Sequence, residues 1–420
     1  MREDAPPAGS GAAQLNAGST VGRAALGGTL AFIALIAICE LLAVVQFLLV
    51  RVYGLWSWAK IGLLTALLSL RAELIATVNG SPRLPPAAGP MTLHMRFVPM
   101  LLTIGFLWLA ARAGRRAART RSGRPALMTA LLAAAGAAVP VAVFAAACST
   151  LVTLFFPALG VRLRVDAPSA ALWAAILAAA GAGIGAYLEA ASARASSAAF
   201  RGGLTAYGWA LGLLVVGVLV VATLEPTITR RYVDGLTGLG AGGGVLLGFH
   251  VLGLPAQSAL LLAPASGSCV EILGEGSIYR LCPWRLTPSG PGGELLLPDP
   301  IPLSPWFWLL SAVPFVAAML GGRRAVIGIT EAGRAVGLGV AAGTLYALLA
   351  VVGAWLVAPR WFTTPVVSSN LIPFSHVTFR LDWGRTMIAA LVWGVVGGGL
   401  GAWLAVRGYA EPELPRPTSA

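Results

Sequence analysis

Apolar runs of about 20 residues, the length a helix needs to cross a bilayer, recur from end to end of this 420-residue chain. Eight stand out: Leu26–Val50, Phe97–Ala111, Ala126–Phe156, Ser169–Ala190, Gly203–Leu224, Pro305–Leu320, Ala335–Val357 and Thr386–Val406. A water-surrounded core cannot hide them all, because only 11% of the residues are charged against about 25% in soluble domains. The sequence therefore predicts an all-α, multi-pass membrane protein whose first partner is the lipid bilayer, and it excludes a soluble enzyme.

Two further apolar stretches carry features that suit interfacial or re-entrant segments rather than spans. Trp56–Val78 holds Lys60, Arg71 and Glu73, and Gly242–Ala263 is interrupted at Leu254-Pro255 after a run of glycines. With neither counted, the link Arg112–Arg124 (six arginines), Arg323, Arg324, Arg334, Arg194, Arg201 and both termini fall on one side. Basic residues near span ends mark the cytoplasmic side, so the expectation is a cytoplasmic-membrane protein with both termini inside. The net charge of +13 rests on arginine, Lys60 being the single lysine. Those arginines are scattered over loops and build no continuous basic face for nucleic acid.

The two halves repeat. Gly181-Ala-Gly-Ile-Gly-Ala-Tyr-Leu188 and Gly397-Gly-Gly-Leu-Gly-Ala-Trp-Leu404 agree at five of eight positions. Ala113-Gly-Arg-Arg-Ala117 matches Gly321-Gly-Arg-Arg-Ala325, and Arg23-Ala-Ala-Leu26 matches Arg201-Gly-Gly-Leu204, all in the same order. Two parallel four-helix repeats follow, since an even number of crossings returns the chain to its starting side. The expected organisation is a disordered cytoplasmic tail over 1–21, a first repeat over 22–200, a second over 201–408 with an external loop over 266–304, and a second tail over 409–420. Gly181/Gly185 and Gly397/Gly401 each form a small-xxx-small face for close helix packing.

Cys269 and Cys282 share the external loop, and an oxidising exterior lets them form a disulfide. Cys39 and Cys148 fall inside spans as small apolar residues. No C-x-x-C or H-x-x-x-H spacing marks a metal site, and no cofactor motif is present. Glu40 lies near the middle of its span, where an ionised carboxylate needs a cavity or partner. An ion or proton site and a hydrogen-bonded structural acid both remain open for it. His250 and Gln257 flank the Leu254-Pro255 interruption, and with Glu40 they make a candidate midplane polar site of the kind broken helices create. The segments His94-Met-Arg96-Phe97 and His376-Val-Thr-Phe-Arg380 are expected at the outer lipid surface, and tryptophans including Trp56, Trp58, Trp284, Trp306, Trp308, Trp361, Trp383 and Trp393 as an interfacial belt. Without a nucleophile motif, phosphate loop or paired carboxylates, no enzymatic activity is expected.

Residues Arg96-Phe-Val-Pro99 through Ala113-Gly-Arg-Arg-Ala117, the glycine-led stretch at Leu254-Pro255 and the span opening Pro305-Trp306 resemble the actinobacterial PerM-type cell-division membrane proteins. The resemblance implies a multispan envelope factor, with envelope or divisome membrane proteins as partners and no catalytic residues to carry over. The competing expectation is a small-solute or ion transporter with its site between the repeats.

Overall fold

The computed structural model describes residues 10–50, 55–78, 91–119, 125–156, 161–191, 195–226, 230, 234, 241–274, 277–288, 301–302, 305–364 and 376–409. Ten α-helices appear among them: α1 (Ser10–Val50), α2 (Leu55–Ser69), α3 (Met100–Ala118), α4 (Ala126–Leu151), α5 (Ala167–Ala190), α6 (Ala195–Leu224), α7 (Ala241–Ala265), α8 (Val313–Ala325), α9 (Ala332–Val357) and α10 (Trp383–Tyr409). A 3₁₀ segment, Pro305–Ala312, leads into α8. Among the described residues, seven stretches are long and apolar enough to cross a membrane, in α1, α4, α5, α6, Pro305–Ala325, α9 and α10. The chain is a helical, multi-pass integral membrane protein. The remaining sequence candidate, Phe97–Ala111, lies in α3, whose apolar stretch gives way within the helix to Arg112, Arg115 and Arg116.

Its side-chain distribution is that of a protein solvated by lipid. On α1, Ala31, Phe32, Leu35 and Cys39 are buried, while Leu26, Leu30, Ile33, Leu41 and Leu48 are exposed. Alanine and glycine line many helix contacts and large aliphatics face outward, as expected where close backbone approach, and not exclusion from water, holds helices together.

Between the helices lie ten short strands that helical periodicity does not reveal: β1 (Leu74–Val78), β2 (Met91–Arg96), β3 (Thr153–Phe156), β4 (Val161–Val165), β5 (Val270–Gly274), β6 (Ser277–Cys282), β7 (Arg285–Pro288), β8 (Ile301–Pro302), β9 (Arg360–Thr364) and β10 (His376–Leu381). The expected span Ala126–Phe156 is correspondingly shorter. Its helix stops at Leu151, because Thr153-Leu-Phe-Phe156 pairs as β3 with β4.

Two compact units divide the chain. The first comprises Met1–Ser192, Arg230–Ala256 and Val357–Thr378; the second comprises Ala193–Thr229, Gln257–Leu356 and Phe379–Ala420. In the first, α1 to α5 pack around Phe32, Leu35, Leu67, Phe106, Val141 and Ala174, beside antiparallel strands in the order β3-β4-β1-β2-β9. The second holds the antiparallel order β5-β6-β7-β8 and a cluster of Ala263, Val270, Ala354 and Leu381.

Three expectations are corrected. The tail expected to be disordered over 1–21 is helical from Ser10, α1 simply extending beyond its apolar part. The interruption expected at Leu254-Pro255 is absent: α7 runs unbroken from Ala241 to Ala265, and α4 likewise passes through Pro140. In membrane helices proline is tolerated where neighbours accommodate the freed carbonyl. Finally, Trp58 and Trp284 are almost fully buried, unlike Trp306, Trp308 and Trp383, which are exposed as a belt requires.

Candidate functional site

A dense polar cluster of the first unit forms where α2 hands over to β1. The Leu70-Arg71-Ala72 turn closes through amide-to-carbonyl bonds onto Leu67 and Leu68 and delivers Glu73 to the edge of the β1–β2 hairpin. Leu74 pairs with Met95, so Glu73 stands opposite Arg96. Arg96 donates from Nε to Glu73 Oε2 at 2.9 Å and from a terminal nitrogen to the same oxygen at 2.5 Å. His94 donates from Nδ1 to Glu73 Oε1 at 2.7 Å. Burial pushes the Glu73 carboxyl up, yet the hydrogen bonds from Arg96 and His94 and the charge of the Arg96 guanidinium outweigh it and hold the group below its ordinary range. Both carboxylate oxygens are engaged, so Glu73 is suited to fastening the hairpin and poorly suited to taking a proton from a substrate.

The cluster is tied to α5. Asp166 caps that helix by accepting from the Ser169 amide at 2.9 Å, the usual means of satisfying a free first-turn donor. The Asp166 amide donates to the Glu73 carbonyl, also at 2.9 Å, and the Glu73 amide donates to Ser169 Oγ at 3.2 Å. Arg71, buried and held at φ 64°, lays its guanidinium 4.0 Å from the Trp173 ring centre.

The second unit builds the same junction with different side chains. Ser266, Gly267 and Ser268 close the end of α7 onto Leu262, Ala263 and Pro264 in the pattern of Leu70, Arg71 and Ala72. Gly267, at φ 95°, stands where Arg71 does. The Asp382 amide donates to the Cys269 carbonyl, and its carboxylate caps α10 through the Arg385 amide at 3.1 Å. Val270 pairs with Leu281, so Cys269 stands opposite Cys282, and the two form a disulfide. Where the first hairpin is fastened by Glu73 and Arg96, the second is fastened covalently.

The glycine faces also correspond. A side chain at Gly185 would strike the Ala111 carbonyl and one at Gly401 the Met319 carbonyl; Gly181 abuts Ala110 and Gly397 abuts Ala318. Thus α5 packs on α3, and α10 on α8, through equivalent residues.

Glu40 packs against α2 of its own unit. A side chain at Gly62 would lie 2.7 Å from its Cδ and its Oε2, so the Glu40 carboxyl lies over the gap that Gly62 leaves in α2. A cavity elsewhere along the same helix, bounded by Cys39, Leu42, Ala43, Gln46, Thr65 and Leu252 and not by Glu40, measures about 10 Å³, at the lower limit for a single water. The His250 side chain lies outside the described residues. Gln257 belongs to the second unit and Glu40 to the first.

A second polar feature is basic. Trp108, Ala111, Arg112, Arg115, Arg116 and Arg119 line an open groove of about 270 Å³ along α3. Arg112 faces the Trp108 ring at 5.6 Å, and Arg119 pairs with Glu189 of α5 at 3.1 Å. No group of three His, Cys, Asp or Glu side chains able to hold a metal occurs among the described residues. The sequence places His94 and Arg96 at the outer lipid surface but does not reveal their partner, because Glu73 lies in a different segment and only strand pairing joins them. No family model matches the chain, nor does a curated protein or a solved structure.

Proposed function

We propose that this protein is a non-enzymatic factor of the cell envelope, associated with cell division, that acts by presenting its inter-helix strand segments to other membrane proteins. The observation that supports this most is where the order lies. The helices close against one another at glycine–carbonyl contacts, while hydrogen bonds and a disulfide fasten the hairpins between them. A transporter inverts that priority, with a hydrated polar path through its interior; the cavity bounded by Cys39, Gln46 and Thr65 on α1 and α2 admits barely one water.

On this reading the protein sits in the cytoplasmic membrane with both termini inside, the strand segments outside, and two duplicated halves. Three features favour duplication: the repeated helix-turn-hairpin junctions, the paired caps Asp166 and Asp382, and the matched glycine contacts. The resemblance of Arg96–Pro99 and Ala113–Ala117 to the PerM-type proteins favours the division role.

Photo-crosslinking residues placed in cells at exposed Arg162 and Phe155 of the β3–β4 hairpin, and at lipid-facing Val143 as control, test the proposal. Discrete adducts with envelope proteins at the first two positions alone are expected. Solute-dependent flux in proteoliposomes that is lost in Glu40→Gln would replace this reading with the transporter.

A further inference from the structure

We propose that the arginine face of α3 is a binding site for the phosphate headgroup of an anionic phospholipid. Trp108, Ala111, Arg112, Arg115, Arg116 and Arg119 recur every three or four residues and so share one face. That stripe extends about 16 Å along the helix axis. Trp108 is 59% exposed, as suits an indole at the level where acyl chains meet headgroups. Successive turns beyond it place Arg112, then Arg115 and Arg116, in the headgroup layer, and the groove they line holds about 270 Å³.

The charge there is largely unanswered. Among the described residues Glu189 is the carboxylate that meets this face, and it engages Arg119. Guanidinium groups bind phosphate oxygens through parallel N–H donors, so the face suits a phosphodiester in chemistry as well as charge. Helix packing does not require it. At the corresponding positions in and just beyond α8, Val316, Leu320 and Ile327 replace Trp108, Arg112 and Arg119, leaving only the Arg323-Arg324 pair, although α8 packs on α10 through the same glycine contacts as α3 on α5. Chain insertion alone would be served by any basic link; the Trp-led stripe is specific to one half.

The test uses the full-length protein in neutral detergent, with equal phosphatidylglycerol and phosphatidylcholine added and bound lipid read by native mass spectrometry. Preferential retention of phosphatidylglycerol is expected, falling about fivefold with each of Arg112→Gln and Arg116→Gln. Each single variant keeps five of the six arginines of the link, so insertion is preserved. Arg323→Gln/Arg324→Gln should leave retention unchanged, and millimolar inorganic phosphate should leave the lipid bound. Equal retention of the two lipids, single variants that bind like the parent, or release of the lipid by free phosphate would each overturn the proposal.

Discussion

Glu73 accepts three N–H···O bonds from two basic side chains, and its carboxyl is held below its ordinary range. A carboxyl whose folded pKa is depressed contributes stability above its unfolded pKa and loses that contribution as the pH falls through the folded one. Glu73→Gln should therefore lower thermal stability in micelles at pH 7 by about 1–2 kcal/mol, a charge-assisted bond discounted for the partial exposure of Arg96. The gap between variant and parent should shrink below about pH 4, the ordinary carboxylate range. A gap that widens on acidification would remove the ion pair from the account. Glu40 calls for a different expectation. Because its carboxyl fills the gap left by Gly62 within its own unit, Glu40→Gln, which keeps that shape, should leave expression, insertion and phenotype intact. Loss of phenotype in a stably inserted Glu40→Gln protein would make this acid a working proton or cation site.

At the scale of elements, helices were legible in the sequence and strands were not. A span announces itself by 20 apolar residues, whereas Thr153-Leu-Phe-Phe156 merely continued the apolar run of α4, and Leu74–Val78 lay inside a stretch already read as interfacial. Both are strands because of their partners: β3 pairs with β4 just beyond it in the chain, and β1 pairs with that same β4, about 80 residues away. The polar junction was hidden for the same reason, since Glu73 and Arg96 come together only once the hairpin forms. The glycine faces were legible, because spacing along one helix is local information. Their energetics can be tested by contrast. Gly185→Ala drives a methyl group into the Ala111 carbonyl and should destabilise by about 1–3 kcal/mol, the usual range for overpacking. Gly105 has nothing within 4 Å of a built side chain, so Gly105→Ala should be neutral or stabilise by about 0.5–1 kcal/mol. Equal melting shifts for the two variants would show that close packing does not hold α3 to α5.

At the scale of the whole molecule, the halves share a scheme and differ in how each junction is fastened. The turn at Arg71 or Gly267, the cap at Asp166 or Asp382, and the amide bond to the carbonyl of Glu73 or Cys269 repeat at corresponding points. The same cross-strand position then carries an ion pair in one half and a disulfide in the other. If the positions are equivalent, their fastenings should be exchangeable. The Cα atoms of Cys269 and Cys282 are 4.3 Å apart, and register sets Glu73 opposite Arg96 in the same manner. The double variant Glu73→Cys/Arg96→Cys, oxidised outside the cell, should therefore form a second disulfide beside the native one. Peptide mapping without reductant should recover residue 73 linked to residue 96 and Cys269 linked to Cys282, with the melting temperature at or above that of Glu73→Gln. Free thiols at 73 and 96, or scrambling with Cys269 and Cys282, would mean that the two junctions coincide in pattern but not in geometry, and the case for duplication would then rest on the helices alone.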